Sequence, residues 1–492
     1  MSRIIIQNGN MCELDLPLKF AQKLYAEFAI RHQNAFYLRT RQRGMQNWDG
    51  KIHYVNKHGE FKIGLLPAVY EKCIEYGIKP KVVDMRQPLP KVNEVVTKIG
   101  EYKLRPEQEK AVKAVINNKV GKVPFQIGVL DYTVNAGKTL IMSSLYLSYK
   151  KQLKTLLITN DSDWLNQARD EFKKYLPGEQ ITFVQGKVLN WSNFTIGMVQ
   201  SISRNMRFYQ NELAKIDMVL VDEADQAGSK QYQNVLTRLF NTRVRIGLSG
   251  TIYMSKLAKD KVKNMNLEVF FGKVLAEFKL KDSIKKGYST RTIVKMVPSK
   301  PWYGNWESEE ISYKEIYDDS ITFNKYAKRM VYSRLKWNLK QGRYPALVVC
   351  KFIAHCENLC KYFKKKLGSK YNIACVHVDT PSKIRQQIMK DFREGKIDIL
   401  VSTTIIARGK NFPKLRYLLN AASMDSQEKS IQFLGRLVRT DSSKKKVYLD
   451  DLHYPGHYLD RHGKHRKQYY QRQGLKVILL DKLWKKYPIH SL

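Results

Sequence analysis

The sequence predicts an α/β protein with two parallel-sheet domains in tandem, a small α/β domain ahead of them and a basic tail behind. Three observations lead there. The chain has 492 residues, enough for about three domains. Short aliphatic runs with polar ends recur between helix-length stretches, the pattern of parallel strands buried on both faces. The net charge is +42, from 87 Lys+Arg against 45 Asp+Glu, so positive potential dominates the surface and favours a polyanion partner.

Taken in chain order, residues 1–95 read as an N-terminal accessory nucleic-acid-binding domain. It has a strand at 3–7, helical stretches at 16–32 and 68–76, and a basic, aromatic segment at 37–54. Residues 96–297 form the first sheet domain, with strands expected at 155–159, 194–199, 218–221 and 245–248. The polar stretch 298–330 is taken as a linker region. Residues 331–452 form the second sheet domain, with strands at 346–350, 374–378, 397–402, 417–421 and 446–449. Residues 453–492 read as a basic extension with interleaved aromatics, among them Tyr469, Tyr470 and Trp484. The six cysteines show no paired CxxC and read as reduced thiols, without disulfides or zinc. No apolar run reaches the length of a membrane span and the N-terminus is too brief for a signal segment, so no membrane partner is expected and the cytoplasm is the expected compartment.

Four stretches carry the chemistry. In Thr133-Val134-Asn135-Ala136-Gly137-Lys138-Thr139, a loop runs into an apolar helix, so the backbone N–H groups of Asn135, Ala136 and Gly137 can cradle phosphates at the helix N-terminus. Lys138 suits the β- and γ-phosphates of ATP and the Thr139 hydroxyl suits Mg²⁺. Tyr132 stands where the motif's first glycine would be, and Asn135, in mid-loop, tolerates a left-handed backbone. Next, Val219-Leu220-Val221-Asp222-Glu223 is a buried strand ending in two acids: Asp222 suits Mg²⁺, and Glu223 suits an attacking water. The bland alternative is an acidic strand end packed on a basic neighbour.

Third, Ser249, Gly250 and Thr251 follow another aliphatic run and read as the link between nucleotide state and nucleic-acid grip. Fourth, Gln432-x-x-Gly435-Arg436-x-x-Arg439 sets two arginines three residues apart, on one face if helical. Gln432, Arg436 and Arg439 then suit charge developing on a phosphoryl group, presented from the second domain. A solvated basic helix is the alternative. Upstream of the loop, Gln108 suits an adenine edge, with Arg105 assisting. In the second domain Gly409 and Asn411 suit nucleotide, and Thr403 suits nucleic acid, as do Gln200 and Ser201 in the first.

The order LRPEQ, NAGKT, VDEAD, LSGT, ARGKN and QFLGRLVR resembles the superfamily 2 helicases and translocases. That resemblance implies two RecA-like domains, ATP and Mg²⁺ as cofactors, an ATPase site where the domains meet, and a nucleic-acid strand crossing both. The N-terminal Asn47-Trp48-Asp49-Gly50-Lys51-Ile52, followed by Gly64-Leu65-Leu66, is similar to the accessory domain of bacteriophage UvsW-type recombination helicases. Branched DNA is then the implied substrate: forks, Holliday junctions, D-loops and R-loops, in recombination, repair or replication. A monomer in the cytoplasm of a bacterial host, with DNA, RNA within R-loops, and recombination or replication proteins as partners, is implied with it. Two departures stand out: Asn-Ala-Gly in the phosphate loop, and Asn411 at an expected acid. The spelling Asp222-Glu223-Ala224-Asp225 suggests RNA helicases, but those carry HRxGRxxR and SAT where this chain has QFLGRLVR and LSGT. An RNA or R-loop helicase and a non-catalytic nucleic-acid clamp remain the rivals.

Nucleic-acid contacts are expected from Arg39, Arg41 and Arg43, which alternate as on one strand face, and from Lys51. Trp48 reads either as a stacking residue or as the anchor of a small core. Arg461, Lys464, Arg466, Lys467 and Arg472 read either as a duplex-tracking row or as a solvated helix face.

Overall fold

A computed structural model of the chain describes residues 2–41, 45–252, 258–299, 312–407 and 412–480. They form two compact units, Met1–Phe278 and Lys279–Leu492.

The first unit is built on a seven-stranded sheet in the order Ile181–Val184, Phe194–Met198, Thr155–Thr159, Met218–Asp222, Val244–Ser249, Ile127–Tyr132, Val274–Phe278. Every pairing is parallel. The four central strands Thr155–Thr159, Met218–Asp222, Val244–Ser249 and Ile127–Tyr132 are buried along their full length. Helices cover both faces of such strands, which is why their sequences are almost continuously apolar. Each expected strand of this domain is present, its ends shifted by at most one residue.

Ahead of it lies a four-stranded sheet in the order Glu60–Lys62, Met11–Asp15, Arg3–Ile6, Lys81–Asp84, with helices Leu18–Glu27 and Leu66–Glu75. This block is fused to the larger sheet. One hydrophobic core runs from Ile4, Ile6, Leu65 and Val69 through to Val219, Val235 and Phe271. Gly64 lies so close to the helix Ala258–Phe271 that a Cβ there would overlap the Glu268 carbonyl. Arg245, fully buried on a central strand, donates Nη2 to the Gly9 carbonyl (2.7 Å) and to Asn10 Oδ1 (2.8 Å). Burial, reinforced by the charge of Arg86, pulls its pKa down to about 9.

The stretch 37–43, whose alternating cations were expected on one strand face, lies as far as residue 41 on the helix Ala35–Arg41 instead. The buried Ala35 and half-buried Leu38 are three apart, and this helical spacing outranks the alternation of the cations. Arg39 and Arg41 are both exposed on it, while Arg43 lies outside the described residues.

The second unit repeats the architecture: Ile373–Val376, Ile399–Ser402, Ala346–Val349, Tyr417–Asn420, Lys446–His453, Arg291–Pro298, Val477–Leu479, again all parallel. It begins earlier than expected, because Arg291–Pro298 pairs with Lys446–His453 rather than closing the first sheet. The expected linker also holds the helix Tyr313–Tyr317 and the first turns of the helix Lys325–Lys340, and Ile316, Tyr317, Ala327, Val331 and Leu335 of these helices enter the core of this unit. Residues 300–311 lie outside the described residues.

The expected basic extension is equally integral up to residue 480. Val477–Leu479 completes the sheet, and helix His457–Arg472 buries Arg466. The Arg466 Nε donates to both Asp451 oxygens (2.9 and 3.1 Å), and its Nη atoms reach the carbonyls of Met424 and Leu452. Tyr470 and Asn420 also donate to Asp451 (2.7 and 2.9 Å). Arg466 is thus neither a duplex contact nor a solvated cation; Arg461, Lys464 and Arg472 are exposed. Trp484 lies outside the described residues. All six cysteines are free, and among the described residues no helix is long and apolar enough to cross a membrane.

Removing one member of a buried ion pair leaves an uncompensated charge, at a cost of about 3–5 kcal/mol. Asp451→Ala should therefore lower the urea midpoint of the second unit by an amount equivalent to that cost, whereas Lys464→Ala, on the exposed side of the helix that carries Arg466, should leave it unchanged.

Candidate nucleotide-binding site

Three neighbouring strands of the first sheet end at one edge. Asp131 lies beside Ser249, and Asp222 beside Leu248. From Tyr132 the chain turns into a loop with two left-handed residues, Asn135 (φ +63°) and Gly137 (φ +70°), and then enters helix Lys138–Ser148. Asn135 adopts the conformation that asparagine tolerates better than most residues. At Gly137 a Cβ would overlap Gln108 Nε2, so both conformation and space call for glycine.

Gln108 is buried and uses both ends of its amide within the chain. Its Nε2 donates to the Ala136 carbonyl (2.8 Å), and its Oε1 accepts from the Arg105 N–H (2.8 Å). Arg105 Nη1 reaches the Asn135 carbonyl (3.2 Å). The pair thus pins successive carbonyls of the phosphate loop, a holding role that sequence reasoning, which set them on the adenine, did not foresee.

Asp222 is buried at its strand end, and burial raises its carboxyl pKa above the ordinary value. The Lys138 ammonium and the Glu223 N–H pull it back, while Asp161 and Glu171 push it further up. Its Oδ1 is buried with no hydrogen-bond partner among the described residues. A buried, unpartnered carboxylate oxygen on the sheet edge that also carries Lys138 and Thr139 fits a hard cation taking oxygen ligands, as Mg²⁺ does. No group of three or more His, Cys, Asp or Glu able to hold a metal occurs among the described residues.

Glu223 follows in a left-handed conformation (φ +54°) and accepts from Gln226 Nε2 (3.3 Å). Gln226 in turn accepts from Asn160 Nδ2, and Gln200 Nε2 donates to the Asn160 carbonyl (3.2 Å). A polar relay therefore joins Glu223 to Gln200, a residue expected to meet nucleic acid, through Gln226 and Asn160, which the motifs did not single out. Ser201 is half-buried on the same short helix, Val199–Arg204.

The Ser249 hydroxyl donates to Asp225 Oδ1 (2.6 Å), pairs with Thr251 Oγ1 (3.0 Å) and accepts the Thr251 N–H (3.1 Å). Between them Gly250 packs on the phosphate loop, where a Cβ would stand 3.0 Å from Thr133 Cα. This segment therefore touches both the acidic motif and the loop that follows Tyr132.

In the second unit Gln432 and Arg436 lie half-buried on helix Gln427–Leu437. The helix stops before Arg439, so the two arginines do not share a helical face. Just beyond its end, the Thr290 N–H donates to the Val438 carbonyl (2.8 Å) and the Thr290 hydroxyl to the Arg439 carbonyl (3.1 Å), so both carbonyls are satisfied outside the helix. Thr403 is buried at the end of strand Ile399–Ser402. Gly409 and Asn411 lie outside the described residues.

Two family models match the chain: "Type III restriction enzyme, res subunit" over residues 101–254, and "Helicase conserved C-terminal domain" over 327–441. Among curated proteins, the ATP-dependent DNA helicase uvsW of Enterobacteria phage T4 is 22% identical over 431 residues, 82% of each chain. The helicase-like protein IRC3 of Saccharomyces cerevisiae is 23% identical over 377 residues, 71% of this chain and 51% of that one. The chain thus spans only about half the length of the yeast relative. Among solved structures, the ATP-dependent Type ISP restriction-modification enzyme LlaBIII, bound to DNA, superposes with a TM-score of 0.56 at 12% identity, covering 83% of this chain and 34% of that one. The fold is that of two RecA-like domains in tandem.

Losing the Gln108 side chain frees a loop carbonyl at a cost of about 1 kcal/mol or somewhat more. Gln108→Ala should therefore weaken binding of a fluorescent ATP analogue by roughly five- to tenfold, with the thermal midpoint little changed. Unaltered affinity would mean that the loop holds its shape without Gln108.

Proposed function

We propose that this chain, which resembles the superfamily 2 helicases and UvsW among them, is an ATP-dependent DNA helicase or translocase that remodels branched DNA. The observation that carries the DNA reading is the similarity to the phage T4 DNA helicase across 82% of both chains. The basic surface supports it: at net charge +42, affinity for phosphate backbones comes without sequence preference.

In this reading the loop from Asn135 to Gly137 and the N-terminus of the following helix bind the phosphates, and Lys138 neutralises them. Thr139 and Asp222 hold Mg²⁺, which supplies charge neutralisation when bound. Glu223 orients the attacking water and takes its proton. Ser249 to Thr251, hydrogen-bonded to Asp225 and packed on the loop, carry the nucleotide state onward, as does the relay from Glu223 to Gln200. Gln432, Arg436 and Arg439 are the second unit's contribution to phosphoryl-transfer charge, with Gly409 and Asn411 toward nucleotide. Gln200, Ser201, Thr403, Arg39, Arg41 and Lys51 meet nucleic acid. The working form is a monomer in the cytoplasm, acting in recombination, repair or replication.

Unwinding of Holliday junctions, forks, D-loops and R-loops, with and without ATP, tests the reading. ATP-dependent processing of at least one DNA structure is expected, with ATPase stimulated more by DNA than by RNA. Stimulation by RNA alone would replace this reading with an RNA helicase. Glu223→Gln should lower the ATPase rate by about 10²–10⁴-fold while ATP still binds, and a clamp without catalysis would show no such loss. Fork affinity should fall steeply and linearly with salt on logarithmic axes; a flat response would remove the electrostatic argument.

A further inference from the structure

Arg436 sits within the last turn of the helix Gln427–Leu437, but Arg439 lies beyond it, so helical geometry does not set the Arg439 backbone. The last carbonyls of a helix have no partner inside it and are taken by side chains or by water. At this exit three successive carbonyls are held, each by a group from elsewhere in the chain. Lys444 Nζ donates to the Leu437 carbonyl (3.1 Å), the Thr290 N–H to that of Val438 (2.8 Å) and the Thr290 hydroxyl to that of Arg439 (3.1 Å).

Both holders are themselves fixed. Thr290 and Lys444 are buried, and they stand just ahead of Arg291–Pro298 and Lys446–His453, neighbouring parallel strands with Arg291 opposite Lys446. Before Thr290 the Ser283 and Ser289 hydroxyls pair (2.8 Å), and the Ser283 carbonyl accepts the Tyr288 N–H (2.9 Å). Lys444 Nζ also donates to the Leu415 carbonyl (3.0 Å), and burial pulls its pKa down to about 8. An ammonium is strongly hydrated and costly to bury; this one enters the interior to meet two carbonyls.

A long side chain acts at a fixed point only if its backbone is fixed. A group that stabilises charge on a phosphoryl group has to be held within about 0.5 Å of its working geometry. The second unit opens at Lys279, and Thr290 ties that opening segment to the arginine.

We propose that Thr290 is a positioning residue for ATP hydrolysis: it sets the backbone from which Arg439 reaches the phosphoryl group, at a helix end that Lys444 anchors. This deepens the proposed function and rests on the role given there to Arg439.

The test is the DNA-stimulated steady-state ATPase of the full chain. Thr290→Val keeps the shape of the side chain and removes its hydroxyl. It should lower kcat by roughly 10- to 100-fold, the upper end being the cost of an ångström's misplacement, with KM for ATP unchanged. Thr290→Ser, which returns the hydroxyl, should restore kcat. In an Arg439→Ala background Thr290→Val should cost nothing further, because residues that act as one unit are not additive. General damage to the second unit would subtract from both backgrounds alike, and that result would overturn the proposal, as would failure of the serine rescue. A slow Arg439→Ala beside a normal Thr290→Val removes the positioning alone, whereas Arg439→Ala at the full rate removes the role of Arg439 and the proposal with it.

Discussion

Parallel register in the first sheet is the constraint on which the rest depends. Met218–Asp222, Val244–Ser249 and Ile127–Tyr132 lie side by side, run the same way and are buried on both faces. Their carboxyl ends must then share one edge, and the phosphate loop, the acidic pair and the Ser249 segment arrive there together. A one-residue slip of either glycine-bearing strand would put a side chain where Gly247 meets Ala224 or Gly128 meets Leu275, and neither place has room for a Cβ. The chemistry of Asp222 follows from the same burial: the core that fixes its strand also desolvates its carboxylate, and the Lys138 ammonium is the main compensating charge.

How much was legible in the sequence depended on how local each signal was. Fully buried strands such as Thr155–Thr159 and Ala346–Val349 declare themselves through uninterrupted aliphatic runs. Arg291–Pro298 did not, because it is only partly buried, contains Lys295, and finds its partners far along the chain at Lys446–His453 and Val477–Leu479. The unit boundary was misplaced for the same reason. Ala35–Arg41 misled through its alternating cations, a surface feature, when two residues beneath the helix decide its conformation. Arg466 looked like one of a row of solvated cations until Asp451, Tyr470 and Asn420 closed around it.

The site divides along the same line. Motif order brought Lys138, Asp222 and Ser249 to attention, and the fold sets all three at one sheet edge. Partners that act through tertiary contact carried no such mark: Gln226 and Asn160 between Glu223 and Gln200, and Thr290 against the carbonyls of Val438 and Arg439. Spacing alone made Arg436 and Arg439 helical neighbours. The helix ends at Leu437, and the two carbonyls just beyond it are satisfied by Thr290, a residue distant in sequence. Gln108 is the intermediate case, visible as a motif letter while its hold on Ala136 needed coordinates.

Arg245 has a bearing on ancestry. A guanidinium with no exposure, on a strand adjoining the phosphate-loop strand, directs its hydrogen bonds to Gly9 and Asn10 at the beginning of the chain. A lineage that exchanged the first sheet for an unrelated domain would strand that cation in a dry interior, and one that altered position 245 alone would orphan the turn at Gly9. Neither half can drift without the other. The small sheet is therefore a structural part of the first unit rather than a detachable attachment to it.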